Sequence, residues 1–180
     1  MKHLKQYRIP FSGLSTGSHS FEFEVDEKFF ACYEHTLVHE GKLTAIVELQ
    51  KKENLLIANF DIQGLIKLDC DVCLSTFDSP VSVKERILVK FTDDEWEDAT
   101  EEVITLAKND YEMDIAPLLY EYINLAVPPY AKCSVNGQGV SCDPDMLSRI
   151  ESEKPNDHAE TDEEELPDPR WEALKNIKNN

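Results

Sequence analysis

Basic residues are scarce for a chain of this length. The 180 residues include 18 Lys and Arg against 36 Asp and Glu, which gives a formal net charge of -18 at pH 7. A nucleic-acid interface depends on clustered Lys and Arg that neutralise phosphate groups, so this composition argues against an extended nucleic-acid surface. A strongly acidic protein is better suited to a basic partner.

Long apolar runs are also missing. No stretch approaches the roughly 20 consecutive apolar residues that a membrane-spanning helix needs. The first residues, Met1–Tyr7, contain no apolar core of the kind found in signal peptides. We therefore expect a cytoplasmic protein without membrane contact. Thiols in that compartment are reduced by default, and the five cysteines cannot all pair within one chain.

The sequence contains none of the common catalytic or nucleotide-binding motifs. It has no Gly-x-Ser-x-Gly, no phosphate-binding loop followed by Lys-Ser or Lys-Thr, and no Rossmann fingerprint. The segment Gly137-Gln138-Gly139 is too short to count as a phosphate-binding loop. Carboxylates are so abundant that no particular pair is informative. We therefore predict that the protein is not an enzyme.

The central feature of the sequence is a Cys-x-x-Cys motif formed by Cys70 and Cys73. Residues 56–63 before it and 81–91 after it alternate apolar and polar side chains, which predicts strands covered on one face. A redox Cys-x-x-Cys usually opens a helix, but residues 74–80 make a poor helix start. A tight turn that points two thiolates the same way is instead the usual first half of a tetrahedral zinc site.

A complete zinc site requires two further ligands, and Cys133 and Cys142 are the candidates. One structural zinc ion held by all four would clip the end of the sheet to the loop after the main helix, contributing folding energy rather than catalysis. The eight residues between the second pair are a looser spacing than that of a usual zinc knuckle. A partial or lost site, and reduced structural cysteines without metal, are therefore the alternatives. Cys32 has no neighbouring cysteine and is expected to be a small core residue.

Other alternating segments predict further strands, and Gly64 within the strand before the motif predicts a bulge or bend. The strands follow one another through turns without long helices between them, so the sheet should be antiparallel. The additional predicted strands cover residues 4–11, 17–25, 43–49 and 103–106.

The strongest helix pattern covers residues 114–126, where apolar residues recur at helical spacing. Asp114 is a good N-cap, and Pro117 is tolerated in the first turn because its missing N–H would have no partner there. Asp26 predicts a short helix that extends to Tyr33, and Asp143-Pro144 predicts another that ends near Ile150. The fold class is therefore α+β: a mainly antiparallel sheet covered by one principal helix, with a Cys-containing loop.

The length suits one domain with a substantial core. We predict a single α+β domain at residues 1–150, an acidic linker at 151–167 and a short C-terminal helix at 168–180. Acidic residues concentrate in that linker and in residues 93–102. Such runs are typical of solvated loops, and a docking tail for a basic partner is the alternative interpretation.

Two further sets of residues have ordinary interpretations. His35 and His39 have helical i, i+4 spacing but lack the carboxylate of a metalloprotease helix, so we expect surface histidines. Lys84, Arg86 and Lys90 share one face of a predicted strand and could contact RNA locally. A solvated strand face is the simpler interpretation.

Several motifs follow one another in a characteristic order over residues 10–178. They are Leu68-x-Cys70-x-x-Cys73-Leu74 with Phe77, a long acidic segment, a helix ending in Leu125-Ala126-Val127-Pro128, a Cys-containing loop, and the terminal Asp168-Pro169-Arg170-Trp171-x-x-Leu174-Lys175. Their order and spacing resemble the YceD-like large ribosomal RNA subunit accumulation family. Members that place a His where Cys133 stands favour a zinc site, because His and Cys are both zinc ligands.

The resemblance implies a non-catalytic ribosome-assembly factor that supports accumulation of the large-subunit (23S) ribosomal RNA. Its implied partner is a precursor of the large ribosomal subunit or a small basic ribosomal protein, and direct RNA contact is left open. Two alternatives from other classes remain. One is a thiol–disulfide protein that uses Cys70 and Cys73. The other is a generic acidic interaction module in which the cysteines have no role.

Overall fold

Alternating apolar residues build the main sheet of the computed structural model, which describes residues 3–91 and 103–153. The chain begins with a 3-10 helix at His3–Tyr7, and the described residues contain seven strands. The strands are β1 (Arg8–Pro10), β2 (Gly17–Val25), β3 (Gly41–Lys51), β4 (Leu55–Asp69), β5 (Thr76–Phe91), β6 (Val103–Leu106) and β7 (Glu112–Asp114).

Five of these strands form one sheet in the order β2-β3-β4-β5-β6. The pairs from β2 to β5 are antiparallel, and β1 pairs antiparallel with β7 in a separate two-stranded sheet. β6 lies parallel to β5, with Leu88 opposite Val103. Parallel neighbours cannot be joined by a tight turn, and residues 92–102 connect them in the sequence. The α+β class and a mainly antiparallel sheet are confirmed.

β5 starts at Thr76, five residues before the predicted start at residue 81. Pro80 lies inside it, opposite Leu65 of β4. Proline cannot donate a ladder hydrogen bond, so it is tolerated only where one side of a strand is open. In the described residues β6 pairs with β5 only from Leu88 onward, so that side is open at Pro80.

The prediction for Gly64 was a bulge or bend, and the bulge is wrong. Leu43, Gly64 and Val81 pair directly across three strands, and the register continues without a break on both sides. Gly64 instead allows the backbones of β3 and β4 to approach each other closely. A Cβ there would lie 2.3 Å from the Lys42 carbonyl oxygen and 2.6 Å from the Leu43 Cα.

The first helix, α1 (Glu27–Phe30), is capped by Asp26 as predicted. Asp26 Oδ1 accepts hydrogen bonds from the N–H groups of Lys28 (3.1 Å) and Phe29 (3.3 Å). The helix ends before the predicted Tyr33. Cys32 is half-buried rather than a core residue, because it follows the helix end and its thiol donates to the Lys28 carbonyl at 3.2 Å.

The principal helix, α2 (Ala116–Leu125), covers the sheet as predicted. Leu119 and Ile123 are fully buried, and the Tyr122 ring meets Phe60 of β4 edge-on at 5.3 Å between centroids. Pro117 is in the first turn, as expected.

The predicted N-cap of α2 is shifted by one residue. Ile115 occupies that position without a side-chain cap, and Asp114 ends β7. Asp114 Oδ1 nevertheless accepts the Ala116 N–H at 3.0 Å, so it satisfies one of the free donors of the first turn.

Two shorter helices follow α2. α3 (Cys133–Asn136) lies in a segment predicted to be irregular. α4 (Pro144–Ser152) begins at the predicted proline, and Asp143 Oδ1 accepts the Asp145 N–H at 2.9 Å. The described part of the chain contains no helix that is long and apolar enough to cross a membrane.

One compact unit extends to Leu147, and a second begins at Ser148, of which only the residues to Glu153 are described. α4 continues to Ser152, so the predicted linker begins as helix. Residues 154–167 of that linker, the predicted C-terminal helix at 168–180 and the acidic run at 93–102 lie outside the described residues. The division into domains therefore stays a prediction.

Substitution of Gly64 tests the close approach of β3 and β4. We expect Gly64→Ala to lower the free energy of unfolding by about 1–3 kcal/mol, because the new methyl group overlaps backbone atoms of Lys42 and Leu43. Gly13→Ala is the matched control, since a Cβ at Gly13 has no neighbour within 4 Å. Urea unfolding of both variants measures the difference. Equal midpoints would mean that the sheet relaxes around the methyl group.

Candidate metal centre

Four of the five cysteines form one buried cluster. The Sγ atoms of Cys70, Cys73, Cys133 and Cys142 all lie within 4.8 Å of one another. At most 7% of any of these residues is exposed. The structure thus brings together the two pairs that the sequence places about 60 residues apart.

The first pair lies in the turn that joins β4 to β5. Cys70 directly follows the last residue of β4, and its N–H donates to the Ser75 carbonyl at 3.0 Å. The Leu74 N–H donates back to the Cys70 carbonyl at 2.9 Å. Leu74 has φ of 60°, a left-handed conformation that a bulky residue rarely adopts. The turn therefore places both sulfurs on one side before the chain enters β5.

The second pair comes from the segment after α2. Cys133 begins α3, and Cys142 directly precedes the Asp143 cap of α4. Gly137 closes the loop between them, and its N–H donates to the Cys133 carbonyl at 2.9 Å. A Cβ at Gly137 would lie 2.6 Å from the Cys133 carbonyl oxygen and 2.8 Å from the Phe77 ring. Only glycine lets this loop pack so closely against β5.

Hydrogen bonds donated by backbone N–H groups join the two halves of the cluster. The Asp71 N–H donates to the Ala131 carbonyl at 2.8 Å, and the Ala131 N–H donates to Asp71 Oδ2 at 2.6 Å. The Cys133 N–H points at the Cys70 sulfur at 3.5 Å. These hydrogen bonds therefore attach the segment after α2 to the end of the sheet. Neither the pairing of Asp71 with Ala131 nor the role of Gly137 was predicted, because both depend on a contact distant in sequence.

The distances between sulfurs fit a tetrahedral metal ion. A zinc ion with Zn–S bonds of about 2.3 Å places neighbouring sulfurs about 3.8 Å apart. The Sγ–Sγ distance is 3.9 Å from Cys70 to Cys142 and 3.8 Å from Cys73 to Cys133. That from Cys133 to Cys142 is shorter, at 3.2 Å, but still far from the roughly 2.05 Å of a disulfide. All four are free cysteines, and together they can hold a metal ion.

The surroundings favour ionised sulfur at the first pair. The backbone N–H groups of Asp143 and Ser75, with the Ser75 hydroxyl, lower the pKa of Cys73 to about 6. Burial acts against ionisation of Cys70, but N–H groups from Cys133, Cys73 and Val72 outweigh it and lower its pKa as well. These donors stabilise thiolate, the form of cysteine that binds metal.

The surroundings of Cys133 instead favour the protonated thiol. Burial, followed by hydrogen bonds with the thiols of Cys142, Cys70 and Cys73, raises its pKa to about 12. A metal ion must therefore displace a proton from Cys133 when it binds, and acid conditions oppose binding.

The redox interpretation finds little support in the geometry. Residues after Cys73 enter β5, so the first pair does not open the helix that usually follows a redox Cys-x-x-Cys. The lowered pKa of Cys73 would suit a reactive thiol, but Cys70 is fully buried and Cys73 nearly so. A partner disulfide needs access to the attacking sulfur, and burial denies it.

The remaining candidates lie elsewhere on the surface. His35 and His39 are exposed and outside the cysteine cluster. Lys84, Arg86 and Lys90 are exposed on β5, as the predicted solvated face requires. Lys84 lies 3.4 Å from Asp61 of the neighbouring strand, which offsets part of the positive charge of that face.

The chain matches a model of a known protein family over most of its length. A family model described as "Large ribosomal RNA subunit accumulation protein YceD" matches residues 58–178. The matched range includes the turn at the end of β4, α2 and all four clustered cysteines. No curated protein and no solved structure matches the chain.

Replacement of single cysteines tests the metal centre. We expect Cys73→Ser to lose the bound metal and at least about 2 kcal/mol of stability, because a structural metal contributes directly to folding. Cys32→Ser should keep the metal content and the stability of the wild type, since Cys32 lies outside the cluster. Elemental analysis of protein purified with reductant, followed by urea unfolding, provides the measurement. Identical metal content in the two variants would contradict the assignment.

Proposed function

The chain belongs to the large ribosomal RNA subunit accumulation family, and on this premise we propose that it is a ribosome-assembly factor. Its role is to support accumulation of the large-subunit (23S) ribosomal RNA in the cytoplasm. The observation that carries the proposal is the family match over residues 58–178, more than half of the chain.

We further propose that Cys70, Cys73, Cys133 and Cys142 hold one structural zinc ion. A set of four thiolates fills the tetrahedral positions of zinc and leaves none for a substrate or an activated water, as in structural sites. The bound ion supplies folding energy by fixing the β4–β5 turn to the segment after α2. This geometry supports a non-catalytic role for the centre.

The partner in this role is a basic ribosomal protein, either alone or within a precursor of the large subunit. The net charge of -18 supports this choice, because it attracts Lys- and Arg-rich surfaces and repels phosphate. Direct contact with RNA through Lys84, Arg86 and Lys90 is the less favoured mode, since acidic residues lie on the same strands.

The assembly role predicts a defect specific to one ribosomal subunit. A strain without the protein should accumulate less large-subunit RNA relative to small-subunit RNA, and a tagged protein should cosediment with large-subunit precursors on a sucrose gradient. The wild-type gene and Cys32→Ser should restore the ratio, whereas Cys70→Ser combined with Cys73→Ser should restore it poorly because the metal centre is lost. An unchanged RNA ratio with no cosedimenting ribosomal component would disprove the proposed function.

A further inference from the structure

A surface groove of about 750 Å³ lies beside the cysteine cluster. Its walls are the loop between α1 and β3, the end of β4 with the following turn, and the segment after α2. Its apolar lining comes from Leu37, Leu68, Val127, Pro128 and Pro129. Leu37 is 65% exposed, a large fraction for an apolar side chain that lines a groove. The groove therefore offers apolar surface to a partner.

The charged groups that line this groove are mostly acidic. Three carboxylates, those of Glu40, Asp69 and Asp71, face a single ammonium group, that of Lys67. Lys67 Nζ is paired with Glu40 Oε2 at 2.8 Å, so its charge is already compensated. Asp69 and Asp71 are exposed and line the groove; Asp69 Oδ1 accepts the Thr76 hydroxyl at 2.8 Å, and Asp71 Oδ2 accepts the Ala131 N–H at 2.6 Å. Such an edge attracts Lys and Arg and repels phosphate.

We propose that this groove is the docking site for a basic segment of a partner protein. Apolar side chains of that segment contact the prolines and Leu37, while its Lys or Arg side chains lie along Asp69 and Asp71. The inference deepens the proposed function by locating the surface that meets the basic partner, and it rests on that function for the partner's place in large-subunit assembly.

The cysteine cluster fixes one wall of this groove. Asp71 belongs to the turn between Cys70 and Cys73, and Ala131 lies two residues before Cys133. The reciprocal hydrogen bonds between Asp71 and Ala131 therefore join two groove-lining residues next to the sulfurs. A wall fixed in advance lowers the entropy cost of ordering the groove when the partner binds.

Photocrosslinking in cells tests the docking site with the full chain. Benzoylphenylalanine at Leu37 should crosslink to a protein, and peptide mapping should place the crosslink in a segment rich in Lys and Arg. The matched control is the same residue at Tyr111, which is 64% exposed but does not line the groove, and it should give no such product. Melting of each purified protein confirms that it folds.

Two charge substitutions should change the crosslink yield from position 37 in opposite directions. Lys67→Glu makes the groove more acidic and should raise the yield about two- to fivefold, whereas Asp69→Lys should lower it by a similar factor, as expected for exposed charge pairs. General damage to the groove would lower the yield in both variants. Contact with RNA would reverse both signs.

Several outcomes would overturn the docking site. They are a crosslink from position 37 to RNA, to another part of this chain or to a second copy, or an absent crosslink while large-subunit precursors still cosediment. The last result leaves the proposed function intact. Conversely, a crosslink to a basic protein in a strain whose large-subunit RNA is unaffected supports the groove and disproves the assembly role.

Discussion

The long antiparallel pairing of β4 with β5 is the contact on which the rest of the structure depends. It runs without a break from Leu55 opposite Lys90 to Asp69 opposite Thr76. A ladder that continues to its last residue pair leaves the following turn little freedom, so the Cys70 and Cys73 sulfurs are directed by the sheet itself. The second pair of cysteines packs against this turn, and a turn fixed by the sheet reduces the entropy cost of a four-ligand site.

Burial limits how many of the clustered sulfurs can be ionised at the same time. Four sulfurs within 4.8 Å cannot all be ionised in an apolar environment, because like charges repel and burial penalises each of them. The structure divides the cluster accordingly, with Cys73 favoured as thiolate and Cys133 as thiol. The proposed zinc ion would remove this conflict by neutralising charge among the four sulfurs, so its binding would add to the free energy of folding.

Features that a local sequence pattern determines could be predicted from the sequence. Features that depend on residues distant in the sequence could not. Alternation is visible within a strand, so most of the strands, the turn at Cys70 and the covering helix could be predicted from it. The parallel pairing of β6, the extension of β5 through Pro80 and the real reason for Gly64 depend on neighbours in space. The pairing of Cys133 and Cys142 with the first motif could be predicted because thiol chemistry restricts the partners. The hydrogen bond between Asp71 and Ala131 that supports this pairing could not be predicted, since nothing in the local sequence distinguishes Asp71 from other aspartates.

An acidic groove is physically suited to temporary binding of a basic protein segment. Exposed charge pairs contribute roughly 0–1 kcal/mol each and weaken with salt, so they hold a partner without trapping it. Ribosomal RNA carries phosphates at much higher density, and each one bound by Lys or Arg releases counterions. In the proposed role, a basic segment that leaves Asp69 and Asp71 for RNA would be bound more strongly at each contact. In the proposed role, this difference in charge density favours transfer of the segment from the proposed docking groove to the growing subunit.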